Sequence, residues 1–175
     1  MNLRFLRHGY NDLRMRPGSH FTDDILAAIR KEKILGIRAG RDSTHRVIGI
    51  WVVVVEGRVF VRSWSLKPRS WWRTFLEDPQ GSIFVGDKEI PVRTIQTRSE
   101  RLKDLVSLAY KEKYNTPGSI QFVKDMSRKK SRETTTELVP LIYVDRVISA
   151  RGKYKGKGLM KALMAEKKQE KENRR

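Results

Sequence analysis

The chain has 175 residues, 38% of them hydrophobic, which suits one domain with a real core and attached tails. It has no cysteine, which excludes disulfides and thiolate metal sites, and its three histidines (His8, His20 and His45) are too scattered to argue for a histidine-rich metal centre. The net charge of +18 favours anionic partners, and no apolar run approaches the roughly 20 residues of a membrane helix, so a cytoplasmic protein with no membrane span is expected.

The charge is uneven. Residues 151–175 hold ten basic and three acidic side chains, and residues 1–20 hold four and one. Residues 1–20 show no steady period and end near Pro17-Gly18, so they read as an irregular N-terminal arm. A helix is expected from about Thr22, with Asp23 and Asp24 in its first turn, where carboxylates suit the positive helix end, and Phe21 and Leu26 at hydrophobic-staple spacing. Ile34–Ala39 reads as a first strand and GRDSTHR, residues 40–46, as a polar loop. Val47–Val55 is apolar on both alternating faces, as in a strand covered on both sides. Glu56-Gly57 reads as a tight turn into a strand over Arg58–Trp64, with Arg58, Phe60, Arg62 and Trp64 on one face.

Ser70 is placed to cap a helix over Trp71–Asp78, stopped by Pro79. A second hairpin follows: Ser82–Val85, a Gly86-Asp87 turn, and Lys88–Ile95. Leu102, Leu105, Val106 and Ala109 follow the helical period within Ser99–Tyr114, and Thr116-Pro117-Gly118 is expected to end that helix. A short helix over Ser119–Met126, a basic loop and a last strand over Glu137–Val147 complete the domain, residues 21–150. The tail, residues 151–175, is basic with little to bury, and is expected to be disordered or helical only on a partner. The sum is a mainly β protein with helices (α+β), built as a small antiparallel barrel.

Two basic stretches carry the functional signal. Arg41, Ser43 and Arg46 in the polar loop offer guanidinium and hydroxyl donors of the kind that bind phosphate, although such a loop is more often simply solvated. The stretch VRSWSLKPRSWWR, residues 61–73, holds three of the four tryptophans. There Ser65 and Lys67 precede an expected helix start, and Trp64 is placed to stack on a flat ring. Packing explains Trp71 and Phe75, whereas Trp64 and Trp72 are open to either role. No catalytic triad, paired carboxylates or P-loop can be read, so any reactivity would come from a bound cofactor.

These motifs add up to a resemblance. GRDSTHRVIGIW resembles the Gly-Arg-Lys-(Ser/Thr)-Gly…Arg…Pro-Leu-Trp segment of the deazaflavin-dependent nitroreductase family, within the flavin-binding split-barrel superfamily that includes the pyridoxamine-phosphate oxidases. WWRTFLEDP is similar to its Trp-Tyr-x-x-Leu-x-x-Asn-Pro helix, VVVVEGRVFVRSWSLKP to its hairpin and Ser-Lys-Gly loop, and TELVPLIYVD to its closing strand. An uncharacterised bacterial branch of the superfamily is the nearer resemblance.

The resemblance implies a six-stranded antiparallel split barrel of the FMN-binding type, a homodimer, and FMN or a deazaflavin as cofactor. Residue by residue, it implies cofactor contacts at Arg41, Ser43, Arg46, Trp64, Ser65 and Lys67, with Trp51 a second candidate for covering the ring. It implies a substrate side at Tyr114, with Trp72 as a further candidate. The function expected is a flavin or deazaflavin oxidoreductase that passes a hydride to or from a small organic molecule. The alternative is a nucleic-acid-binding or ribonucleoprotein-associated protein on a barrel that has lost its cofactor. It is motivated by the charge, the two basic tails and Asp42, which stands where the family has a basic residue.

Overall fold

The computed structural model describes residues 15–17, 20–41 and 46–143. Two compact units are distinguished, Arg16–Ile142 and a second made of residues 1–15 and 143–175, which lies almost wholly outside the described residues. The expectations for the arm before Met15 and for the basic tail also lie outside them.

The elements follow in chain order. A short strand β1 (Met15–Pro17) forms within the stretch expected to be irregular. Helix α1 (Asp23–Lys31) has two aspartates in its first turn and Arg30 and Lys31 in its last, matching the helix dipole at both ends. Strands β2 (Leu35–Ala39), β3 (Ile48–Ile50), β4 (Val52–Val55) and β5 (Arg58–Val61) come next. The turn between β4 and β5 has positive φ at both Glu56 (51°) and Gly57 (72°), the geometry that a two-residue hairpin needs.

Helix α2 (Trp71–Glu77) starts at Ser70, whose side chain accepts from the Arg73 N–H. The hairpin of β6 (Gln80–Val85) and β7 (Lys88–Gln96) follows. Phe75 of α2 packs so tightly on β6 that a Cβ at Gly81 would fall 2.8 Å from its ring. Helix α3 (Glu100–Lys113) is capped by Ser99. Helix α4 (Pro117–Ser127) begins two residues earlier than its sequence suggests, because Pro117 sits in the first turn, where its missing N–H has no helical partner to lose, behind a Thr116–Ser119 capping box. The basic stretch after it forms a one-turn helix, α5 (Lys129–Arg132), and β8 (Thr136–Tyr143) closes the described chain.

All pairings along the sheet are antiparallel, in the order β3-β2-β6-β7-β8-β5-β4, with β1 paired to β8 off this path. The terminal strands β3 and β4 are consecutive in sequence and separated only by Trp51. One extended segment therefore joins both ends of the sheet, giving a nearly closed seven-stranded barrel that is compatible with the split-barrel type. The expected count of six is corrected here: Val47–Val55, read as one strand, is two.

The physical reason for the break is α3. Val52 and Val61 form the last pair of the β4–β5 ladder, and alternation would make Trp51 and Arg62 the next hydrogen-bonded pair. Instead the Trp51 carbonyl accepts from the Tyr110 hydroxyl at 3.1 Å. The Val52 N–H donates to the Tyr114 hydroxyl at 3.0 Å, and Lys113 Nζ donates to the Val52 carbonyl at 3.0 Å. Tyr110 of α3 thus takes the Trp51 carbonyl that β5 would have used, while Tyr114 and Lys113 satisfy Val52 groups that face away from β5.

The core has two parts. Leu35, Ile37, Val52, Val59, Val61, Ile83 and Leu138 fill the barrel with Leu26 and Ile29 of α1 and Phe75 of α2. Val53, Val55 and Phe60, on the opposite face of the same hairpin, pack on Leu102, Val106, Tyr110 and Tyr114 of α3 and on Val123 and Met126 of α4. The hairpin is covered on both faces, as its unbroken apolar run requires.

Candidate functional site

Past the Val52–Val61 pair the hairpin splays. Residues 48–50 turn to β2, where Ile50 pairs with Leu35. Residues 62–63 stay on the β8 side, and the Ser63 N–H donates to Thr134 Oγ1 at 2.8 Å. Between these diverging segments opens a cleft of about 660 Å³, within the roughly 300–1,000 Å³ usual for small-molecule sites. One wall is Ile48–Ile50, which pairs with β2 on one side only, with Trp51 after it. The facing wall is Arg62–Ser65. Lys67, Arg69, Ser70 and Trp71, together with Phe122 and Met126 of α4, complete the lining.

The aromatics give the cleft its character. Trp51 stacks on Tyr114 with centroids 4.2 Å apart and planes 7° apart, and meets Phe122 edge-on at 6.2 Å. Trp64, 61% exposed, meets Phe122 edge-on from the rim at 6.1 Å. Such a chamber suits a flat ring, because its walls are apolar faces and edges already held in place.

Arg62 is the unusual member. It lines the cleft while being 2% exposed. Its guanidinium donates to Thr135 Oγ1 (2.8 Å), Ser107 Oγ (3.0 Å) and the carbonyls of Met126 (3.0 Å) and Lys103 (2.6 Å). It also lies 5.7 Å from the Tyr110 ring. Every one of these partners is neutral. Burial lowers its pKa to about 10, so it stays cationic at neutral pH. A buried positive charge hydrogen-bonded only to neutral groups biases the cleft toward an anionic or electron-rich ligand.

The sequence-based candidates divide. Trp64, Ser65 and Lys67 line the cleft together, and Trp51 forms part of its wall. Arg41 is exposed and lines no part of it; its N–H donates to Asp78 Oδ2 at 2.7 Å, beyond the far end of α2. Arg46 is exposed and also absent from the lining, and Ser43 lies outside the described residues. Tyr114 is 5% exposed and stands behind Trp51, its hydroxyl donating to the Lys33 carbonyl at 2.7 Å. Trp72 donates from Nε1 to Gln96 Oε1 at 3.1 Å on another face.

Sequence reasoning missed Arg62, Phe122 and Met126. A signal existed for the first, since an arginine on the same face as Phe60 within an apolar strand needs buried partners. Phe122 and Met126 share a helix face at i and i+4. Trp71, read as packing, both packs edge-on against Phe75 at 6.0 Å and lines the cleft. Among the described residues no group of three or more acidic or histidine side chains could hold a metal, and no helix is long and apolar enough to cross a membrane.

Among solved structures, the chain is similar to the conserved hypothetical protein Rv2991 from Mycobacterium tuberculosis, with 14% identity, a TM-score of 0.44, and 74% of this chain and 86% of that one covered. It is also similar to a proposed pyridoxamine 5′-phosphate oxidase from Listeria innocua, with 10% identity, a TM-score of 0.46, and 70% and 93% covered. At such scores the likeness assigns no chemistry to this chain. No curated protein matches the sequence. The profile of DUF2255, a family of uncharacterised proteins conserved in bacteria, matches residues 25–138, and the chain belongs to that family.

Proposed function

We propose that the cleft binds a flat, phosphate-bearing cofactor of the flavin or deazaflavin kind and that the protein is an oxidoreductase acting on a small organic molecule. The observation that carries this reading is the aromatic-walled cleft at the splayed hairpin with the buried Arg62 in its wall. The donor set fits such a group. Trp51 and Trp64 offer ring surfaces, and Ser65 and Lys67 offer polar contacts at the mouth. Arg62 supplies a fixed positive charge that needs no reorganisation when electron density builds up on the ligand. When bound, the cofactor would supply hydride transfer; the protein's part is to orient the ring, exclude water from its apolar faces and hold charge beside it.

The test is the absorbance spectrum of protein purified from its native cells, with the small molecules released on denaturation identified by mass. A flavin or deazaflavin chromophore is the expected result. A colourless protein that binds neither FMN nor a deazaflavin in a titration overturns the reading.

The net charge of +18 favours a second reading, nucleic-acid binding through the basic tails. It requires an affinity for RNA or DNA that falls steeply with salt and is lost when residues 151–175 are removed, with flavin binding intact.

A further inference from the structure

A second groove of about 550 Å³ lies beside the cleft and shares Trp64, Ser65 and Lys67 with it. Its other walls come from the end of α4 and from α5, and include Asp125, Arg128, Lys130 and the buried Ser131. Its chemistry differs from that of the cleft. Three cationic side chains line the groove with one carboxylate; Asp125 Oδ1 lies 3.1 Å from Arg128 Nη1, offsetting one of them by charge, although this buried oxygen accepts no hydrogen bond. The remaining charge is close to +2, which matches the charge of a phosphate monoester near neutral pH, about −1.5 to −2.

We infer that this groove seats the phosphate of the ligand whose ring occupies the cleft, with Lys67 at the junction and Arg128 and Lys130 beyond it. The inference rests on the proposed cofactor reading and moves the phosphate away from the 40–46 loop. Two facts support the move. Arg41 and Arg46 line neither the cleft nor the groove. Trp64, the exposed wall common to both spaces, lets a ring on one side continue into an anionic chain on the other. The site's ligand class is therefore a planar ring carrying a phosphorylated side chain. A dephosphorylated ring compound would fill only the cleft.

The experiment compares FMN with riboflavin, which lacks only the phosphate, by fluorescence titration of the full chain and of an Arg128→Gln/Lys130→Gln variant. The Arg128 side chain is 73% exposed, so the variant should fold, and riboflavin binding serves as its internal check. In the unaltered chain FMN is expected to bind about tenfold or more tighter than riboflavin. In the variant that advantage should shrink to near unity, with riboflavin affinity unchanged. If FMN keeps its full advantage in the variant, the phosphate sits elsewhere and this inference fails while the cofactor reading stands; loss of the advantage in an Arg41→Gln/Arg46→Gln variant instead would show where. If neither compound binds the unaltered chain, both fall together.

Discussion

The hairpin of residues 48–65 has two halves with opposite fates. From Val52 to Val61 it is zipped, buried on both faces and pinned by α3. From Val52 back to Ile48, and from Val61 on to Ser65, it is unzipped and walls a cleft. Both halves are built from apolar and β-branched residues with a few polar ones. What differs is which partner takes the backbone hydrogen bonds: in the zipped half the opposite strand does, whereas past its end the Tyr110 hydroxyl takes the Trp51 carbonyl, and Tyr114 and Lys113 hold the outward-facing groups of Val52 beside it. A cleft can thus arise within a good strand sequence wherever a helix satisfies the backbone better than the neighbouring strand can.

The strongest way to break this contrast is at Arg62, which ties the two halves to α3 and α4. Arg62→Ala would take the donor from the Met126 carbonyl and leave the Lys103 carbonyl with the Ser107 hydroxyl, and is expected to lower unfolding free energy by about 3 kcal/mol, read from urea denaturation. Arg62→Lys should recover part of that loss, because an ammonium cannot span the same four acceptors.

Next is Tyr114→Phe, which keeps the stack on Trp51 but removes the hydroxyl from the Val52 N–H and the Lys33 carbonyl. A loss of about 1–2 kcal/mol is expected. An unchanged stability would mean that the tie between α3 and the end of β4 contributes nothing to the fold.

A smaller and pH-specific effect belongs to Lys113. Burial lowers its pKa from 10.5 to about 8. Between those values the unfolded chain holds more protons than the folded one, so stability should rise with pH across that window. Unfolding curves at pH 8 and pH 10 should show the rise, and Lys113→Met should remove it.

Smallest in stability is Trp64→Ala, on the unzipped half. With the residue 61% exposed, a change within about 0.5 kcal/mol is expected. Flavin affinity should nonetheless drop by about tenfold, which would separate the binding half from the folding half.

Much of this molecule was legible in the linear order of its residues. The Glu56-Gly57 turn, the caps at Ser70 and Ser99, the two-faced apolar run and the helical period at Leu102, Val106 and Ala109 are local signals, each set by backbone sterics or by burial period. Trp64, Ser65 and Lys67 were legible as a group because they lie within four positions of one another. What lay beyond reach depends on residues distant in sequence. The break at Trp51 involves Tyr110, some sixty positions away. Part of the cleft's lining comes from Phe122 and Met126, and the separation of Arg41 from Lys67 follows from the run of α2 between them. Hydrogen-bond competition for one stretch of backbone is a three-dimensional contest, and only the packed helix decides it.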